Sequence, residues 1–216
     1  MRQAALLLLV GALAAGLVVP AAGEEKLPGP PCTCIAAQAI NGWCDLHGIG
    51  YVASIPIRWR MVYDTLDAHG HQVDLTTFDC PSCRKAIQAE GFCEEHGIGF
   101  VNRLAYFSRL TYELARAVYV DPAGIECPLC RNNASTAGWC REHGVGMVGG
   151  FAIRDEQAWQ RAAAAADRLR IVVKKAPQCE RCAVAILYDS DCPVHNIYYK
   201  DGVPVPPPPA PKTSPE

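Results

Sequence analysis

Three thiols and one imidazole recur together four times along the chain: Cys32, Cys34, Cys44 and His47; Cys80, Cys83, Cys93 and His96; Cys127, Cys130, Cys140 and His143; Cys179, Cys182, Cys192 and His195. Each set follows one rule, a cysteine pair, nine residues, a third cysteine, two residues and a histidine, and together the sets use all 12 cysteines. Two thiolates on one tight turn reach the same ion, and the second pair closes a tetrahedron from the other side. Sulfur at about 2.3 Å and nitrogen at about 2.0 Å suit Zn²⁺, which imposes no ligand-field preference against that geometry. Four protein donors leave no position for water or substrate, so the expectation is about four closed, structural zinc sites. The first set departs from the rule, with one residue instead of two between Cys32 and Cys34. Thiols so close also suit softer ions, so Cu⁺ or another thiophilic metal is the alternative there.

Competing chemistries for the cysteines are a disulfide framework, a redox dithiol, haem attachment and an iron–sulfur cluster. A disulfide framework gives no reason for a histidine three residues after every third cysteine. A redox dithiol leaves the third cysteine unexplained, and no thioredoxin-like βαβ pattern surrounds the motifs. Haem attachment needs histidine directly after the second cysteine, where this chain has Ile35, Arg84, Arg131 and Ala183. Hydrolytic and phosphate-binding signatures are missing, and nothing nominates a nucleophile or a base, so the chain reads as no enzyme. His69 and His71, outside the repeats, read as a surface loop, with an accessory metal site as the alternative.

The cysteines belong to a longer duplicated unit. The third cysteines recur at intervals of 49, 47 and 52 residues, and three copies continue as His-Gly-Ile/Val-Gly-aromatic/Met-Val. An aromatic precedes the third cysteine in those copies (Trp43, Phe92, Trp139), and another follows sixteen residues after the histidine (Tyr63, Tyr112, Trp159). These aromatics read as core packing. Pro81 and Pro128 rigidify the Cys-Pro-x-Cys turns, and Gly48, Gly97 and Gly144 allow positive φ where the chain leaves each site. The motif Cys-Pro-x-Cys…Gly-Phe/Trp-Cys-x-x-His-Gly-x-Gly resembles zinc-ribbon or zinc-knuckle modules. It is also distantly similar to the small heavy-metal-binding domains of bacterial exporters and periplasmic adaptors, with the order of the ligand pairs reversed. That resemblance covers the knuckles alone and implies metal binding.

Each unit is expected to hold a knuckle, a short helical or irregular stretch, a Gly-bracketed extended piece and a longer helix. Helices are predicted over 102–119, where Leu104, Phe107, Leu110, Leu114 and Val118 recur at helical spacing, over 155–169 with Asp155 as cap, and over 58–68. The fourth copy has no following helix, lacks the His-Gly-x-Gly continuation and carries Asp191 in place of the aromatic. The implied fold class is a small metal-stabilised α+β array of tandem zinc-ribbon-like repeats, elongated or loosely packed, each repeat depending on its own metal because its core is small. The expected divisions are repeats at 32–79, 80–126, 127–178 and 179–202, after a leader at 1–23 and a Pro-rich linker at 24–31. A Pro-rich, disordered tail over 203–216 completes them.

Residues 1–23 combine Arg2, an apolar run and a small-residue Ala21-Ala22-Gly23 end, the pattern of a secretory signal peptide, with an uncleaved membrane anchor as the alternative. The mature chain is then exported, periplasmic or extracellular. Twenty Lys plus Arg against 22 Asp plus Glu give a formal charge of −2, too little positive field to argue for nucleic acid or an anionic membrane as partner. The function these features favour is an exported, non-catalytic metal protein acting as a structural interaction module for a protein partner. A periplasmic metal carrier or buffer, and a thiol-disulfide oxidoreductase, are the alternatives.

Overall fold

The computed structural model describes residues 32–175 and 178–207. The leader and linker, over 1–31, lie outside them, as does the tail from residue 208 on. The fold is mixed α and β, and the duplicated unit is visible in its element order. Unit 1 runs α1 (Cys34–Ala39), β1 (Trp43–Cys44), β2 (Ile49–Val52), β3 (Ile55–Ile57) and α2 (Arg60–Leu66). Unit 2 begins with β4 (His71–Gln72) and a 3₁₀ turn, then repeats the order as α3 (Pro81–Ala89), β5 (Phe92–Cys93), β6 (Ile98–Val101), β7 (Leu104–Tyr106) and α4 (Arg109–Ala115). Unit 3 follows as β8 (Val118–Tyr119), a second 3₁₀ turn, α5 (Pro128–Ser135), β9 (Ala137–Cys140), β10 (Val145–Val148), β11 (Phe151–Ile153) and α6 (Glu156–Lys175). Unit 4 has α7 (Glu180–Tyr188), β12 (Asp191–Cys192), β13 (Ile197–Lys200) and β14 (Val203–Val205), and no helix follows it among the described residues.

Each sheet is an antiparallel meander whose second hairpin turns on two consecutive positive-φ residues: Ala53-Ser54, Asn102-Arg103, Gly149-Gly150 and Asp201-Gly202. Two such residues match the twist of paired strands, as in a type I′ turn. Only the third turn is made of two glycines, so the others hold non-glycine residues in a costly conformation. A repeated staple supports them. The residue three before the third cysteine uses its side chain to accept the turn's first N–H: Asn41 Oδ1 from Ala53 (2.9 Å), Glu90 Oε1 from Asn102 (3.0 Å) and Asp189 Oδ1 from Asp201 (2.8 Å). This turn is why the helix expected over 102–119 does not form. Asn102-Arg103 reverses the chain, Leu104 enters β7, the helix starts only at Arg109, and Val118 ends on a strand. The other two expected helices form, as α2 and as α6, the latter running on to Lys175. Asp155 caps α6 by accepting the Ala158 N–H at 2.6 Å.

The glycine three residues after each histidine has a packing role. At Gly50, Gly99 and Gly146 an added Cβ would come within 2.2–2.3 Å of the ring of Tyr63, Tyr112 or Trp159. Those rings lie over the glycine and stack on the aromatic before the third cysteine, at 5.2 Å for Trp43–Tyr63 and Phe92–Tyr112 and 5.5 Å for Trp139–Trp159. Glycine and both aromatics therefore form one device that seats the unit's helix on its sheet. Unit 4 has no such helix, and all three residues are absent from it.

The units share one core, which corrects the expectation of a loosely packed array of independent small folds. Its largest cluster joins Val52, Ile57, Val62 and Leu66 of unit 1, Leu110 and Leu114 of unit 2, Val148 and Ile153 of unit 3 and Ala183 and Ile186 of unit 4. Helix α6 runs through it, burying Ala158, Ala162, Ala166, Leu169 and Val172 on one face. The alanine run keeps that face thin enough for close approach to α4. Hydrogen bonds cross between units as well: Tyr188 Oη donates to Thr65 O (2.9 Å), Thr111 Oγ1 to Leu66 O (3.0 Å) and Ser54 Oγ to Gly149 O (2.8 Å). Glu113 on α4 is fully buried and accepts from Arg161 Nε of α6 at 2.7 Å, with Arg109 Nη1 at 3.6 Å. Burial of that carboxylate is tolerable only because it is paired.

Sheets 2 and 3 each carry a fourth strand, β4 beside β7 and β8 beside β11, where His71 faces Ala105 and Val118 faces Ala152. The residues equivalent to Ala105 and Ala152 in units 1 and 4 are Pro56 and Pro204, at the middle of β3 and β14. Proline has no N–H to offer a further strand, so both three-stranded sheets end in protected edges. The tail departs from its expected disorder at its start, where the Asp201-Gly202 turn brings Val203–Val205 back to pair with β13.

Gly99→Ala, which forces a Cβ into the Tyr112 ring, is expected to destabilise the metal-loaded protein by about 1–3 kcal/mol in denaturant unfolding. Gly124→Ala, at a site with nothing within 4 Å and no positive φ, is expected to stay within about 0.5 kcal/mol of the parent.

Candidate metal centres

The first cysteine pair of each set sits at the N-terminus of a knuckle helix, and the third cysteine and histidine flank the first hairpin turn. In units 2 and 3 the Cys-Pro-x-Cys sequence has a direct local reading. Cys80 and Cys127 are the N-caps of α3 and α5, proline occupies the first helical position, and the N–H of the second cysteine points back at the first sulfur, at 3.4 Å for Cys83 and 3.5 Å for Cys130. After each histidine of these sets, Gly48, Gly97 and Gly144 have the expected positive φ.

All sixteen sequence-predicted residues are brought together as four groups: Cys32, Cys34, Cys44 and His47; Cys80, Cys83, Cys93 and His96; Cys127, Cys130, Cys140 and His143; Cys179, Cys182, Cys192 and His195. Within each group the ligand atoms lie within 4.8 Å of one another, so each could hold a metal ion. The twelve thiols are unbridged. Histidine presents Nδ1 in every group, with sulfur–nitrogen separations of 3.2 to 3.6 Å. A tetrahedral centre with arms of about 2.3 and 2.0 Å has sulfur–nitrogen edges of about 3.5 Å, so the spacing fits an ion at the middle. The short first spacing does not prevent closure, since Cys32 and Cys34 stand 3.5 and 3.2 Å from His47 Nδ1.

The thiols within a group differ in acidity. Burial, with the neighbouring thiols, pushes Cys83 and Cys130 up to about 12 and Cys182 up to about 11. Cys93 and Cys192 go the other way: burial is outweighed by donors from the histidine three residues on, its ring and backbone N–H, bringing the thiols to about 7 and about 6. At Cys44 a hydrogen bond from the Thr33 hydroxyl leads, and the thiol falls to about 5.

Two residues that the sequence reading passed over touch the sulfurs. Tyr51 Oη bonds Cys34 and Tyr199 Oη bonds Cys182, and both tyrosines lie four residues after their histidine. The equivalents in units 2 and 3 are Phe100 and Met147, which carry no hydroxyl. Alignment of the four copies at that one position was the available signal. His69 and His71 join no metal-capable group among the described residues: His69 Nε2 lies 3.0 Å from Ile40 O, and His71 pairs with Asp67 at 3.5 Å.

A cleft of about 850 Å³ borders the third group. Its walls include Val118, Val120, Ile125, Met147 and Ile153, with Arg116 and Arg154 among its charged residues. Comparison of the chain with known protein families, with characterised proteins and with solved structures finds no match.

Thiols held near 11 or 12 keep their protons at neutral pH until a metal displaces them. Metal binding is therefore expected to release protons and to strengthen as pH rises, by about tenfold per pH unit for each proton released per ion. Zinc titration calorimetry in buffers of different ionisation enthalpy reads that number directly.

Proposed function

We propose that this chain is an exported, non-catalytic zinc protein whose four Cys₃His centres hold a folded scaffold that docks a protein partner. The observation that carries the reading is the closure of each group. Three thiols and one Nδ1 lie within 4.8 Å of one another in every group, enough protein donors to fill a tetrahedral shell without water or substrate. A closed centre contributes folding energy, on the order of 10 kcal/mol per ion at neutral pH, and supplies no reaction. The donor set selects a thiophilic ion, and Zn²⁺ takes a mixed sulfur and nitrogen tetrahedron without redox chemistry.

Export follows from the leader at residues 1–23, and no helix among the described residues is long and apolar enough to cross a membrane. Docking draws support from the cleft beside the third centre, whose apolar walls and charged surround match the anatomy of a binding hot spot. Four metal-tied units around one core are more architecture than a metal buffer requires.

Native mass spectrometry of protein purified without chelator is expected to show about four zinc ions and twelve titratable thiols. Chelation is expected to abolish most of the helical circular dichroism. A metal-free protein with six disulfides would overturn this reading, and so would catalytic turnover of a dithiol substrate.

A further inference from the structure

We propose that the first centre is the exchangeable one, releasing its metal to an incoming thiol while the other three stay loaded. The inference rests on the reading of the four groups as metal centres and adds a division of labour among them.

Burial separates the first group from the rest. In groups two, three and four the second and third cysteines are both buried, whereas in the first only Cys44 is. Cys32 is exposed, the one thiol of the twelve in that class. The cause lies in the missing residue of the first motif. Cys80, Cys127 and Cys179 are helix N-caps with the second cysteine three positions on, facing inward. In unit 1 Thr33 takes the N-cap place, Cys34 moves to the first helical position, and Cys32 is left outside the helix.

Attachment to the core differs in the same sense. Cys83 and Cys93 belong to one hydrophobic cluster, and Cys182 and Cys192 to another, so opening those centres disrupts apolar packing. The third group's hold is the burial of Cys130 and Cys140 themselves. The part of unit 1 that packs in the main core, Val52, Ile57, Val62 and Leu66, comes after the ligands and does not include them. Trp43, beside Cys44, also packs against that core, so opening at the first ion starts from the exposed Cys32.

The surroundings suit a visiting protein. Ile35, next to Cys34, is 87% exposed, and Leu46, next to His47, is 50% exposed. Residues in the place of Leu46 are Glu95 and Glu142 in units 2 and 3. The acceptor this fits is a protein that presents a thiol within an apolar surface. In the exchange, the incoming thiol gives its proton to the departing Cys32 sulfur as one metal–sulfur bond replaces another. No electron changes hands.

The test starts from full-length protein shown by native mass spectrometry to carry four zinc ions. A lower starting content overturns the underlying reading before any challenge is made. The loaded protein is then mixed with 4-(2-pyridylazo)resorcinol, with and without glutathione, and pulsed with N-ethylmaleimide. About one of the four ions is expected to leave in a separate phase, roughly tenfold or more faster than the rest, as local opening at an exposed site allows. Its rate should rise with glutathione, the helical circular dichroism should hold through that phase, and Cys32, Cys34 and Cys44 should be alkylated first. Release of all four ions in one phase, or first alkylation in units 2, 3 or 4, would overturn the proposal while leaving the four centres in place.

Discussion

Convergence of three thiols and one imidazole on a single point, repeated in every unit, is the constraint from which the local structure follows. The first pair lies at the start of a helix and the second pair beside a hairpin turn, so closing the group fixes helix against hairpin. Knuckle helices of six to nine residues are too short to persist alone in water. Their sheets are no larger than three or four short strands. Neither element has enough apolar surface to hold the other, which is why ligation by sulfur and nitrogen takes over the task that burial performs in larger domains.

Ligation does not join the units to one another. That falls to α6, whose alanine face meets α4, and to the pair of buried Glu113 with Arg161 on the same two helices. The closest approach is between hairpin turns of units 1 and 3. Ser54 donates to Gly149 O, and a Cβ on Gly149 would lie 1.8 Å from Ala53 O. Only glycine satisfies both that approach and the positive φ of the turn. Two levels of stabilisation are thus separable: metal ligands organise each knuckle, and a shared apolar core assembles four of them. The core explains how unit 4 is held without a second helix among the described residues, since α7 packs its Ala183 and Ile186 into the common cluster.

How much of this was legible in the sequence depended on whether the signal was local. The ligand groups could be read because chemistry fixes both residue type and spacing, and the stacked aromatics and the helices α2 and α6 could be read from registration of the copies. Leu104, Leu110, Leu114 and Val118 misled, since apolar residues three or four apart also fit a strand, a helix and a second strand joined by turns. The deciding residues there were Asn102 and Arg103, ordinary non-glycine residues held at positive φ by the Glu90 staple from twelve residues away. The shared core was equally hidden, because the contacts of α6 with units 1, 2 and 4 are properties of the assembled fold.

Departures from the repeat pattern are concentrated in the outer units, and their physical reasons differ from position to position. Proline replaces alanine at the middle of the third strand in units 1 and 4, where no fourth strand arrives and an unpaired N–H row would invite another chain. Tyrosine replaces Phe100 and Met147 beside the second thiol, so in those units the sulfur receives a hydroxyl where the inner units offer an apolar side chain. An apolar Leu46 or Val194 stands before the histidine where the inner units have Glu95 and Glu142. At those two sheet edges proline removes the N–H that a further strand would need. The exposed apolar residues around the first centre are not protected in that way, and they border the one group whose leading thiol faces solvent.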